Sequence, residues 1–185
     1  KVTPEITITV PTNVKVGDTV NIPVSSDGHD LRVWINNVEQ TITNGNVEYT
    51  VGNAGIYTIF AKTTENEQYY AANRTESFEV VKHDMPLTIT VVDKENIKVG
   101  DTVVINVTLP GAGAGEKVAI KINGQTYDNI TNSQGIAIFN VPSVTYGDKT
   151  VTALYNGSTT YMGNATTATF NVDKRDSFVH VTPGD

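Results

Sequence analysis

The sequence predicts an all-β chain folded as two tandem sandwiches, and three observations carry that prediction. One pattern is written twice: Ile6-Thr7-Ile8-Thr9-Val10, followed by Val14-Lys15-Val16-Gly17-Asp18-Thr19-Val20, returns as Leu87-Thr88-Ile89-Thr90-Val91, followed by Ile97-Lys98-Val99-Gly100-Asp101-Thr102-Val103. Period-two alternation of Val, Ile, Thr and Tyr fills both copies, and helical periodicity is nowhere sustained. Gly, Asn, Asp and Pro interrupt the alternation about every 8–12 residues, the rhythm of short antiparallel strands.

In the first copy the alternation places strands at 5–10, 18–24, 31–36, 38–42, 46–51, 55–62 and 75–82. In the second it places them at 86–92, 101–109, 117–123, 125–129, 135–141, 148–155 and 166–173. Asn36-Asn37 and Asn123-Gly124 stand at one repeat position and suit a tight hairpin, because both residue types tolerate the positive φ it requires. Gly17-Asp18 and Gly100-Asp101 mark the corner between the first two strands. About seven short strands per unit, too few apolar faces to bury alone, predict two sheets packed face to face as an immunoglobulin-like sandwich.

Parity assigns the faces. Val20, Ile22 and Val24 answer Val103, Ile105 and Val107, while Leu31, Val33 and Ile35 answer Val118, Ile120 and Ile122; all are expected in the core. In the penultimate strand Tyr57, Ile59 and Ala61 point inward, answered by Lys149, Val151 and Ala153, and Phe78 with Val80 answers Phe170 with Val172 in the last. The expected domains are residues 1–83 and 84–175. Residues 176–185 read as the start of a following repeat or a tail, because Lys174-Arg175-Asp176-Ser177-Phe178-Val179 runs parallel to Lys82-His83-Asp84-Met85-Pro86-Leu87. Lys1-Val2-Thr3-Pro4 likewise begins in mid-pattern, so the chain is expected to be an excerpt of a longer array.

Composition narrows the function classes. The net charge is −7 and the pI about 4.9, which repels nucleic acid and anionic membrane. Apolar runs are strand-sized, well short of the roughly 20 residues of a spanning helix, so no membrane insertion is expected of this fragment. Cysteine is absent, which removes disulfide scaffolds and thiolate zinc sites and leaves an extracellular location open.

The Lys-Val-Gly-Asp-Thr-Val corner, the Lys121-Ile122-Asn123-Gly124 hairpin, the Val151-to-Gly157 stretch, Tyr161 and the closing Thr169-Phe170-Asn171-Val172 resemble the bacterial-type Ig-like repeats of large prokaryotic surface proteins. The pattern is most similar to repeats of the adhesin-like proteins of methanogenic archaea. The resemblance covers the second unit throughout and the first more loosely, which departs at Trp34, Asn37 and Ala61-Lys62-Thr63. It implies an extracellular, cell-surface adhesin-like protein whose modules space and contribute to cell adhesion, with neighbouring Ig-like repeats and a glycan or protein of another cell as partners. Accessory domains of a secreted carbohydrate-active enzyme are the alternative. The motifs are strand and turn signatures and carry no active site.

Chemistry-bearing residues are few. His29, His83 and His180 are far apart and lack metal-site spacing, and no serine sits in a nucleophile elbow, so no enzyme is expected. Calcium is the better metal question. Asp27-Gly28-His29-Asp30 is an acidic turn, and Asp84, Asp93, Glu95 and Asp101 lie around the junction of the units, yet the six to eight converging oxygens this ion needs are not legible. A Lys–Asn amide crosslink needs both partners buried beside an acid, whereas Lys15 and Lys98 sit at corners. Asn73, Asn106, Asn129, Asn156 and Asn164 each head an Asn-x-Ser/Thr sequon and are candidate N-glycosylation sites.

The sharpest candidate is the outer face of the first unit. If Leu31, Val33 and Ile35 point in, Arg32 and Trp34 point out; by the same parity Thr58, Phe60 and Lys62 point out of the penultimate strand. Those two strands are sheet neighbours in an immunoglobulin arrangement, so Trp34 and Phe60 are expected side by side. At the equivalent places the second unit has Lys121 and Thr152. Either the pair, with Arg32, anchors a sugar ring or a protein partner, or the 63–74 connection with Tyr69 and Tyr70 folds back to cover it. Tyr70 and Tyr161 recur at one repeat position and read as structural.

Overall fold

The computed structural model describes residues 1–142 and 144–176. The repeat start or tail expected at 176–185 lies outside the described residues apart from Asp176, as does His180. The chain divides into two compact units, one of Lys1–His83 with Thr159–Tyr161 and one of Asp84–Ser158 with the chain from Met162 onward.

The first unit runs β1 (Ile6–Ile8), β2 (Val14–Lys15), β3 (Thr19–Ser26), β4 (His29–Ile35), β5 (Val38–Gln40), β6 (Asn46–Thr50), β7 (Gly55–Thr64) and β8 (Ala72–Val81). One sheet has the order β1-β3-β6 and the other β2-β8-β7-β4-β5. Every pairing between these strands is antiparallel except β2 with β8, where Val14 and Lys15 run parallel to Val80 and Val81.

The second unit repeats the order with β9 (Thr88–Val91), β10 (Val103–Thr108), β11 (Lys117–Ile122), β12 (Gln125–Ile130), β13 (Ile136–Val141), β14 (Gly147–Tyr155) and β15 (Asn164–Val172). Its sheets are β13-β10-β9 and β12-β11-β14-β15. A single parallel bridge between Lys98 and Asp173 stands where β2 lies in the first unit, preceded by a 3-10 turn at Lys94–Asn96. The chain is thus all-β and built of two Ig-like sandwiches, the predicted fold class.

The inward positions close the cores. Ile22, Ile35, Ile59, Ile105 and Ile120 are fully enclosed, and burial of each such side chain contributes about 1.5–3 kcal/mol before ordering entropy. Tyr57 stacks on Phe78 with ring centroids 5.4 Å apart. Two expected core positions are only half-buried. Val20 lies near the mouth of β3, and Leu31 falls in a β-bulge where Asp30 takes φ 57° and the register slips between His29 and Arg32.

The repeated corner is explained by its hydrogen bonds. Asp18 N–H donates to Lys15 C=O at 3.0 Å with Gly17 at φ 85°, and Lys15 N–H donates back to Asp18 Oδ2 at 2.9 Å. Asp101, Lys98 and Gly100 at φ 88° repeat all three features. This is a type II turn that needs glycine third, with the aspartate fourth sealing the first amide. Both hairpins are also built as predicted: Asn36 and Asn37 take φ 48° and 68°, Asn123 and Gly124 53° and 73°.

Lys149 corrects the simple picture of an apolar inward row. Tyr57, its counterpart, donates from its hydroxyl to Asn53 C=O at 2.8 Å and accepts from Gly52 N–H at 3.1 Å, tying the start of β7 to the turn before it. Lys149 reaches back the same way: its Nζ donates to Thr145 Oγ1 at 2.8 Å and Tyr146 C=O at 3.3 Å. Half-buried at this inward position, Lys149 satisfies the corner with its head, so a polar residue serves there.

Candidate functional site

Strands β4 and β7 set the outer face of the first unit. Their register puts Trp34 opposite Phe60 and Arg32 opposite Lys62, and parity sends all four side chains away from Val33, Ile35, Ile59 and Ala61. The register extends across the sheet: Glu39 of β5 faces Trp34, Thr75 of β8 faces Phe60, and Asn73 faces Lys62. The face therefore carries an aromatic row, Glu39-Trp34-Phe60-Thr75, beside a polar row, Arg32-Lys62-Asn73.

Trp34 and Phe60 are half-buried, with ring centroids 5.8 Å apart and planes tilted by 46°. Such a pair gains about 0.5–1.5 kcal/mol beyond its burial. The Lys62 ammonium lies 5.2 Å from the Trp34 ring centroid, and among the described residues it has no carboxylate within ion-pair distance. Arg32 has two loose ones, Asp30 at 3.4 Å and Glu39 at 3.8 Å, each pair exposed and worth little. Two cations thus face one another across neighbouring strands, an arrangement that destabilises a sheet.

The second unit offers an internal comparison. Lys121 pairs with Thr152 and Ala119 with Leu154 in the same backbone register. The quartet Arg32, Trp34, Phe60 and Lys62 is there Ala119, Lys121, Thr152 and Leu154, so the face is a feature of side chains placed on a shared frame.

Tyr69 and Tyr70 do not join this group. Tyr69 bridges in parallel to Val2, Tyr70 N–H donates to Val2 C=O at 2.9 Å, and the Lys1 ammonium lies 5.9 Å from the Tyr70 ring centroid. The connection after β7 is held by the first residues of the chain, a pairing that depends on backbone proximity and leaves no sequence periodicity.

The sequon asparagines differ in what their amides do. Asn129 Nδ2 donates to Ile138 C=O at 2.7 Å and Asn164 Nδ2 to Met85 C=O at 2.8 Å, bonds that a glycan on either nitrogen would disturb. Asn106 projects outward from β10 as parity requires but is half-buried, with Oδ1 sealed and unpartnered among the described residues. Asn73 and Asn156 are exposed.

Three aspartates are occupied by structural work. Asp27 Oδ1 accepts from Glu5 N–H at 3.0 Å, and Asp18 and Asp101 seal their corners. Among the described residues no three His, Cys, Asp or Glu side chains are grouped to hold a metal ion.

No family model matches the chain, and no curated protein matches it. Among solved structures it is similar to the fibronectin(III)-like modules of CbhA from Clostridium thermocellum, with TM-score 0.38, 13% identity, and 96% of this chain and 100% of that one covered. A 1.5-MDa bacterial ice-binding adhesin gives TM-score 0.43 and 18% identity over 87% of this chain and 59% of that one. A two-domain fibronectin type-III segment of chicken tenascin gives 0.41 and 10% over 91% and 98%. These likenesses concern the fold.

Proposed function

We propose that this chain is a stretch of an extracellular, adhesin-like surface protein of a prokaryote, and that its Ig-like modules act as spacers that hold an adhesive region away from the cell. The observation that carries the reading is the repetition itself. Two sandwiches share strand order, hairpin position and the Lys-Val-Gly-Asp corner, whereas their outer faces are free to differ. Selection for reach preserves frame and length; the archaeal assignment rests on the sequence resemblance alone. The test is made in the parent protein of the source organism. Replacing both modules by unrelated sandwiches of equal length should leave adhesion intact, whereas deleting them should weaken it. Loss of adhesion on replacement overturns the spacer reading.

The adjacency of Trp34 and Phe60 supports a second role for the first module, recognition through the outer face of β4 and β7. The second unit lacks both aromatics at the matching register and serves there as plain spacer.

A further inference from the structure

We infer that the outer face of β4 and β7 binds an acidic saccharide, a chain of hexopyranoses carrying carboxylates, with Trp34 and Phe60 under the sugar and Lys62 and Arg32 on its acid. The inference rests on the recognition reading of that face and supplies its ligand chemistry.

Five observations converge on this class. The rings of Trp34 and Phe60 lie adjacent on neighbouring strands of the five-stranded sheet, with centroids 5.8 Å apart and planes tilted by 46°, a span that suits the apolar C–H face of one pyranose. Arg32 and Lys62 are direct cross-strand partners, a like-charge contact that the loose Asp30 and Glu39 carboxylates offset on the Arg32 side alone, so an anion between the two cations would complete it at Lys62. Lys62 rests on the Trp34 ring at 5.2 Å and has no carboxylate of its own among the described residues, so its charge is free to turn to a ligand without breaking an ion pair. Thr75 and Asn73 of β8 flank the aromatic and basic rows with hydroxyl and amide groups suited to sugar hydroxyls. The same frame in the second unit, with Ala119, Lys121, Thr152 and Leu154, lacks the rings and the cation pair together.

Trp34 is the one tryptophan of the chain, so its fluorescence reports this face directly. The whole chain is titrated at low salt with a β-1,4-mannuronate hexamer and with its uncharged counterpart, β-1,4-mannohexaose, while hexaglutamate controls for charge alone. The mannuronate hexamer should shift the Trp34 emission and bind at least about tenfold more tightly than the neutral hexamer, the worth of about 1.4 kcal/mol, with affinity falling as salt is raised. Lys62→Gln should remove about tenfold of the acidic binding and so narrow the preference for the charged hexamer over the neutral one. Phe60→Thr, which installs the residue found at 152, should weaken both; its circular dichroism must match the parent's. Should Phe60→Thr not fold, affinity electrophoresis of Trp34→Phe in alginate gels supplies the same reading. Equal binding of the two hexamers, or full binding by hexaglutamate, overturns the acidic-sugar assignment while leaving recognition by this face standing. Unchanged Trp34 emission with every probe overturns the assignment and the recognition reading together.

Discussion

Gly45 and Gly135 stand at one repeat position, have the same φ of 77°, and should respond very differently to alanine. Each offers its carbonyl to the strand across the sheet: Gly45 accepts from Val24 N–H at 2.9 Å and Gly135 from Leu109 N–H at 2.8 Å. A Cβ on Gly45 would find only Val24 O at 3.8 Å, ordinary contact, so Gly45→Ala bears the left-handed backbone penalty alone, about 1–2 kcal/mol. A Cβ on Gly135 would lie 2.6 Å from Leu109 O and 3.6 Å from Leu109 C. Both atoms are backbone, so the turn must move and strain the bond it makes to Leu109 N–H. To the same conformational penalty Gly135→Ala adds an overpacking cost of about 1–3 kcal/mol. The total of about 3 kcal/mol corresponds to a Tm shift of about 12–24 °C for a domain of this size, against about 4–8 °C for a loss near 1 kcal/mol. Urea titrations followed by circular dichroism measure each loss, and hydrogen exchange of peptides from β10 and β13, or from β3 and β6, assigns it to its unit. Losses equal within about 0.5 kcal/mol, or a greater loss at Gly45, would refute the clash as the deciding factor.

Other expectations follow from single groups. Thr63 is buried, and its Oγ1 has no partner among the described residues, so Thr63→Val should be neutral or raise stability by about 1 kcal/mol in urea; a clear loss would mean the hydroxyl is satisfied. Tyr57→Phe strands Gly52 N–H and should lower stability by about 1–2 kcal/mol, while Lys149→Met, at a more open corner, should lower it by less than about 1 kcal/mol; the reverse order would contradict the equivalence of the two anchors. Burial, with the neighbouring Tyr57, raises the Tyr49 phenol above its ordinary value of 10.0. Below pH 10.0 the phenol is protonated folded and unfolded alike, so its full contribution is present there and is lost as pH climbs through the raised folded value. Tyr49→Phe should therefore soften the alkaline loss of stability seen in urea midpoints, and an unaltered alkaline limb would count against this source.

Alternation made most of the fold legible, because a residue's neighbours two positions away already state its face. Ile22, Val33, Ile59, Val103, Ile120 and Phe170 are buried where parity puts them. What escaped the sequence depended on contacts rather than period. Strand β2 has two residues, too few to alternate, and exists because Val14 finds Val80. The bulge at Asp30 and the capping role of Lys149 arise from backbone geometry that no composition announces. For the outer face, parity indicated Trp34, Phe60, Arg32 and Lys62 as outward, but only the register set Lys62 against Arg32 and Thr75 against Phe60. Tyr69 and Tyr70 looked like neighbours of that face because they share its connection, whereas their partners are the chain's opening residues.

The parallel pairing of β2 with β8 bears on how the first unit would carry a load. Once the Val2 bridge and β1 have given way, a pull on its leading end draws β2 backward, while a pull on its trailing end draws β8 forward. The two strands run the same way, so the opposed forces act along them and stress the hydrogen bonds between them in shear. Bonds stressed in this manner share the force and fail as a group, unlike a hairpin peeled open one rung at a time. The unit should lengthen abruptly at a threshold force rather than creep.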